Sequence, residues 1–360
     1  MRTSGLALSR CLLVVVSVLG SSLLAEGVTR VWFSDTGPRT VQLTQFWQYD
    51  ARYGWSHVPG TRGTFTLGSG STEVAINAKG FRGPEIEYAR DDRRRRIVVL
   101  GDSYVWGYGV DQKNVFTELL GTARPDVEVV NLGVSGYSTD QELLLYRDEG
   151  HKYGADVIMV VVADNDPPGN MLAEHYVVYG KPVFRLTHGE LVLQNQPVAR
   201  TAWWKRAVAG LAGHSYLLNI ATRYLYLRDV AAAPAGGATP GAGAPAHSPS
   251  PPRAPFPRTP EDEVTLRLLL ELRRTVSTLQ PRAKLLVMFV DGMRGFSPEL
   301  AALLTPHDIA CLDLGEYFDS SDPSLHLPGD FHWNAAGHRR VAEIVQQHLD
   351  GLLNDSSVQF

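Results

Sequence analysis

Five short, mainly aliphatic runs limit how this chain can fold: residues 97–100, 127–130, 157–162, 285–290 and 309–312. A strand with one face in water alternates apolar and polar residues, whereas a run apolar at almost every position is covered on both faces. Segments of helical pattern lie between the runs, among them 115–120 and 141–150. Buried strands joined through helices pair in parallel, with the helices layered on the two faces. The pattern predicts a three-layer α/β/α sandwich around a parallel, five-stranded, doubly wound sheet.

The remaining segments are assigned around that sheet. Arg2 and Arg10 precede an apolar run from Cys11 to Ala25, followed by Glu26 and Arg30. About fifteen apolar residues is the length of a signal-peptide core, whereas a spanning helix needs roughly 20. Carried with interruptions to Phe33, the same run makes an uncleaved anchor with its basic end inside. Residues 1–33 are therefore read as a signal peptide or membrane anchor, with a buried terminal helix as the remaining reading. Residues 34–95, which carry Phe46, Trp47, Tyr53, Trp55 and Pro59-Gly60, are expected to form short strands and loops leading into the main domain, 96–352. Arg93 to Arg96 follow Asp91-Asp92 and precede a buried strand, so they are expected to be solvated there rather than to bind nucleic acid.

Residues 170–260 read as a long insertion. A hairpin is expected from 181–184 and 191–193, then helical pieces around Trp203-Trp204 and 216–226, whose aromatics form a local core or line a cleft. From 231 to 257 the composition falls to mostly Ala, Gly, Pro and Ser, which cannot bury enough apolar surface and predicts a disordered loop. Thr259-Pro260-Glu261-Asp262 has the chemistry of a helix start.

Composition removes other classes. A formal net charge of −4 over 360 residues makes no electrostatic case for nucleic-acid binding. Cys11 and Cys311 are the two cysteines, and with Cys11 in the apolar run no intramolecular disulfide is expected. No Cys/His cluster has zinc-site spacing.

The chemistry-bearing residues fall where strands end. Leu100-Gly101-Asp102-Ser103-Tyr104 puts a serine where a parallel strand turns into a helix, at the sheet edge where such folds place ligands. The helix N-terminus there offers free backbone N–H groups to an oxyanion. The turn is not a G-x-S-x-G elbow, and Gly107-Tyr108-Gly109 lacks the third glycine of a dinucleotide fingerprint. The second run leads to Gly133-Val134-Ser135-Gly136, the third to Ala163-Asp164-Asn165-Asp166, and the C-terminal segment holds Gly329-Asp330-Phe331-His332-Trp333. A serine becomes a nucleophile when a neighbouring base takes its proton, which histidine does near neutral pH. That imidazole needs a partner to hold one tautomer, a task that Asp330 can fill. Asp102 is expected to fix the turn, His338 to be an ordinary helix residue, and Trp333 to pack.

Ser103, Gly136, Asn165 and His332 stand in the four blocks that name the SGNH hydrolases, also called GDSL esterases, and the chain resembles that family over roughly residues 77–350. The segment 76–83 is similar to bacterial envelope-associated members. The resemblance implies the flavodoxin-like SGNH fold, attack by Ser103 on an ester carbonyl, and an oxyanion held by the Ser103 and Gly136 N–H groups and the Asn165 amide.

The chain departs from the family at three places. Asp330 stands two residues before His332, where most members carry the acid three before. In an extended segment i and i+2 side chains project to one side, so the contact is expected. This D-x-H-W form also resembles alginate-type O-acetyltransferases. Asp164 replaces a usual glycine near the oxyanion site, and Pro167-Pro168 predicts a rigid loop. The expected activity is hydrolysis of short acyl esters, including acetyl groups on an envelope or extracellular polysaccharide, without metal or organic cofactor. The alternatives are an O-acyltransferase using the same site and a non-catalytic module that keeps the fold. The expected partners are an acyl ester or acylated glycan, and the membrane if the N-terminal segment is retained.

Overall fold

The structure, a computed structural model, describes residues 2–32, 43–67, 70–175, 179–212, 215–221, 224, 256–290, 293, 296–319 and 321–354. Two antiparallel hairpins come first, β1 (Trp47–Asp50) with β2 (Gly54–His57) and β3 (Arg62–Leu67) with β4 (Gly70–Ala75). The strands of the main sheet begin with β5 (Arg95–Leu100), β6 (Val127–Asn131) and β7 (Val157–Val162). Two small antiparallel pairs follow, β8 (Glu174–His175) with β9 (Tyr179–Gly180) and β10 (Val183–Thr187) with β11 (Glu190–Gln194). The last two are β12 (Lys284–Phe289) and β13 (Ile309–Asp313).

Strands β13, β12, β7, β5 and β6 form, in that order, one sheet with every pair parallel. This is the expected three-layer, doubly wound sandwich of flavodoxin-like strand order. Side chains divide by the period of two. Val98, Leu100, Ile158, Val160 and Val162 face one core, with Leu143–Tyr146 and Leu268, Leu269 and Leu272. Ile97, Val99, Val157, Met159 and Val161 face the other, with Phe116, Leu120, Val341 and Val345. The first layer therefore packs under helices Thr139–Asp148 and Pro260–Leu279, the second under Phe116–Ala123 and Ala335–Asn354. Thr259 caps the Pro260–Leu279 helix, with Pro260 in its first turn and Asp262 closing a capping box.

β5 and β7 are neighbours, although the chain runs out to β6 between them. That reversal opens a crevice at the carboxyl ends of β5 and β7.

The lead-in hairpins share the first core. Trp47 and Phe65 lie 5.2 and 5.3 Å from the Trp106 ring, and Arg82 donates to the Trp106, Gly107 and Val110 carbonyls. Arg96 corrects the expectation of a solvated basic run. It is 2% exposed and donates to the Tyr88, Ala89 and Tyr153 carbonyls and to Glu128. A guanidinium with five donors is well suited to gather carbonyls from the lead-in and from the turn ending at Tyr153.

The expected hairpin in the insertion is β10–β11. The Trp203-Trp204 expectation of a local core is overturned: the helix Trp203–Ala212 leaves Trp203 74% and Trp204 53% exposed. Of the low-complexity stretch 231–257, residues 231–255 lie outside the described residues. Pro167-Pro168 opens a helical turn, Asp166–Gly169, rather than a loop, because proline suits the first turn of a helix. At the N-terminus a helix spans Arg2–Trp32, and Leu12–Trp32 is long and apolar enough to cross a membrane, about 30 Å at 1.5 Å per residue. Leu12, Leu13, Leu23 and Leu24 are exposed, so the described residues do not cover the apolar faces around them.

Candidate active site

Ser103 opens a four-residue helix, Ser103–Trp106, directly after β5. Asp102 caps it, accepting from the Tyr104 N–H at 3.0 Å. Gly101 is needed here for space rather than for a special φ: a Cβ would sit 2.3 Å from Val105 Cγ2. At the first helical position the Ser103 N–H has no intrahelical acceptor.

His332 Nε2 lies 2.7 Å from Ser103 Oγ, and His332 Nδ1 lies 2.6 Å from Asp330 Oδ1. Asp330 Oδ1 also accepts from the His332 backbone N–H at 3.1 Å. The expected contact exists, but its geometry corrects the reasoning. Residues 330–332 form a bend after Gly329, which has φ +67°, and one carboxylate oxygen serves both N–H groups of the same histidine. Ser103 and His332 are each 8% exposed. Three aromatic rings surround the imidazole: Tyr108 at 4.4 Å, Phe331 stacked at 4.5 Å and Tyr104 at 5.1 Å. Sequence reasoning passed over these rings, because nothing local distinguishes a ring beside a catalytic base from a core ring.

Asn165 follows β7. Its Nδ2 donates to Asp102 Oδ2 at 3.0 Å, and the same oxygen lies 3.4 Å from Ser103 Oγ. Flipping the amide would set its carbonyl against a carboxylate, so Asp102 decides which way Asn165 points. One amide hydrogen is used in this way and the second remains for a ligand. Burial raises the Asp102 carboxyl above its usual range, while the Tyr104 N–H, His332 and Asn165 pull it down.

Gly136 has φ +82°, which L side chains rarely adopt, and its loop leads into the helix Thr139–Asp148. Two elements hold this loop in register with Asn165. Asp166 accepts from the Thr139 N–H and Oγ1 on one oxygen and from the Ala163 N–H on the other. Trp55 of β2 donates to the Ser135 carbonyl at 3.1 Å, and its own carbonyl accepts from Tyr137 Oη at 2.6 Å. No sequence motif announces Trp55 as a brace for a loop eighty residues away.

Behind the site lie Asp140, Glu142 and Asp166, all fully buried. Lys181 neutralises Asp140 at 2.8 Å to each oxygen. Both Glu142 oxygens lack a hydrogen-bond partner, and burial, reinforced by Asp166, Asp102 and Asp140, pushes its carboxyl well above the usual range. Asp164 is exposed. His338 is buried and accepts from the Phe116 N–H at 3.3 Å, as befits a structural helix residue, and Trp333 is fully buried. Among the described residues, no group of three His, Cys, Asp or Glu side chains is arranged to hold a metal ion.

A hollow of about 770 Å³ lies along β13, lined by Ser297, Cys311, Asp313, Tyr317 and His348. It includes none of the site residues, so the site is identified by its hydrogen-bonded groups and not by size.

No protein-family model matches the chain, and no curated protein does. Solved structures similar to it include the psychrotrophic esterase of Pseudoalteromonas sp., at 11% identity and TM-score 0.41, covering 72% of this chain and 100% of that one. A GDSL-like lipase of Bacteroides thetaiotaomicron has 10% identity and TM-score 0.40, covering 74% and 92%. A two-domain esterase active on acetylated mannans has 10% identity and TM-score 0.39, covering 74% of this chain and 52% of that one. At these identities and scores the reading of activity rests on the site itself.

Proposed function

We propose that the protein is an exported serine esterase of the SGNH type that cleaves short acyl esters, held at the membrane by its N-terminal helix. The observation that carries this reading is the chain of contacts Asp330–His332–Ser103, at 2.6 and 2.7 Å, lying at the carboxyl ends of β5 and β7.

In this mechanism His332 Nε2 takes the Ser103 proton as Oγ attacks the ester carbonyl. Asp330 holds Nδ1–H and stabilises the imidazolium. The Ser103 and Gly136 N–H groups and the second Asn165 amide hydrogen receive the oxyanion. Collapse expels the alkoxide, which takes the proton from His332 and leaves as alcohol. Water activated by the same imidazole then releases the acid from acyl-Ser103. The small exposure of Ser103 and the rings around His332 favour a small acyl group, such as acetyl on a polysaccharide.

The test is labelling of the full chain with a fluorophosphonate, followed by hydrolysis of p-nitrophenyl esters of increasing acyl length with and without a glycan acceptor. Labelling lost in Ser103→Ala, with turnover highest for the shortest esters in water alone, is the expected result. Product formed only with acceptor would establish acyl transfer instead, and absence of labelling would overturn the catalytic reading altogether.

A further inference from the structure

The helix Trp203–Ala212 carries an apolar stripe that no element among the described residues covers. Trp203, Trp204, Ala207, Val208 and Leu211 fall at i, i+1, i+4, i+5 and i+8, on one face. Trp203 is 74%, Trp204 53% and Leu211 60% exposed. The other face is cationic: Arg206 is exposed, and Lys205 reaches Glu174 at 3.1 Å.

What covers this stripe follows from what it is tied to. Glu26, near the C-terminal end of the apolar helix, accepts from Ser215 Oγ at 2.8 Å and from the Tyr216 and Leu217 N–H groups at 3.0 and 3.1 Å. Arg30 bonds Glu26 and lies over the Tyr216 ring. Ala212 is three Cα steps from Ser215, so the end of the Trp203–Ala212 helix lies within about 11 Å of that junction. Val31 and Trp32, 74% and 80% exposed, close the apolar helix at the same end.

If the apolar helix spans a bilayer over Leu12–Trp32, Arg30 and Trp32 sit at its outer interface, where charged ends and tryptophans collect, and the Glu26–Arg30 pair with its Ser215 junction lies within the last two turns. The stripe then lies at headgroup depth, and its make-up of tryptophans with flanking Lys and Arg is that of an in-plane interfacial helix. We propose that the Trp203–Ala212 helix lies on the outer leaflet beside the anchor, with its apolar face in the lipid. This rests on the anchoring read above. It accounts for exposed tryptophans that neither core accepts, and it makes the membrane a second support for the catalytic domain.

The experiment uses the full chain, with Cys11→Ser and Cys311→Ser, in vesicles of phosphatidylcholine and phosphatidylglycerol. A polarity-sensitive probe is attached singly at Leu19→Cys, Trp204→Cys, Leu211→Cys or Arg206→Cys, and quenched by phospholipids spin-labelled at shallow or deep positions. Quenching by the shallow lipid roughly twofold or more stronger at 204 and 211 than at 206, with deep quenching at 19, is expected for an in-plane helix. Deep quenching at 19 with 204 and 211 no different from 206 overturns this proposal and leaves the anchor standing. No quenching at 19 overturns the anchor and the proposal with it.

Discussion

The roles assigned to single side chains separate by kinetics. On the proposed mechanism Asn165→Ala removes one oxyanion donor and should lower kcat by about 10²- to 10³-fold, while the melting temperature stays nearly unchanged. Asp330→Asn leaves an amide that cannot hold the same tautomer, and a loss of about 10⁴-fold is expected. Both are measured on a p-nitrophenyl ester. Buried titratable groups predict stability rather than rate. Burial lowers His57 to about 4 and His338 to about 3. Unfolded, both titrate near 6.5. Between those values the unfolded state binds more protons, so stability falls as pH drops below about 6.5, by at most about 1.4 kcal/mol per pH unit for each ring. His338→Asn keeps an acceptor for the Phe116 N–H and should flatten that slope in denaturant titrations at pH 7, 6 and 5. Glu142 acts with the opposite sign. Its raised carboxyl keeps its proton in the fold, so stability is full below the unfolded value and is lost as pH rises. Glu142→Gln should therefore stabilise the protein more at pH 8 than at pH 5.

Between elements, the contacts that matter are those fastening the insertion to the site. Lys181 precedes β10, yet its ammonium is 1% exposed, paired with Asp140 in the helix after Gly136 and donating to the Gly169 carbonyl. Lys181→Met leaves Asp140 buried and uncompensated, with an expected cost of about 3–5 kcal/mol in denaturant unfolding. Lys181→Met with Asp140→Asn should recover part of that. This pair also lies beyond what local sequence encodes. The five strands, the capped helix at Pro260 and the β10–β11 hairpin were legible, because each is announced by local periodicity or capping chemistry. That Lys181 reaches Asp140, or that Trp55 braces Gly136, depends on contacts 41 and 80 residues apart. No local rule encodes these. The Trp203-Trp204 misreading has the same origin: amphipathic periodicity says that a face is apolar and leaves open what covers it.

At the scale of the molecule, among the described residues neither buried core includes one from the N-terminal helix. A chain starting at residue 43 should keep kcat/KM on a soluble ester within roughly threefold, since activity needs only the preorganised site. The lead-in hairpins cannot be removed in the same way, because Trp47, Trp55 and Phe65 belong to the first core. By itself the sequence determined the sheet, its two covered faces and the four polar segments at its carboxyl edge, because period and strand-end position are local properties. Tertiary structure alone decided that Asp330 reaches His332 through a bend, that Asp102 aims the Asn165 amide, and that Arg96 is buried while Trp203 is not. Those outcomes depend on which neighbour arrives to supply a hydrogen bond or exclude water, and that is settled only when distant segments pack.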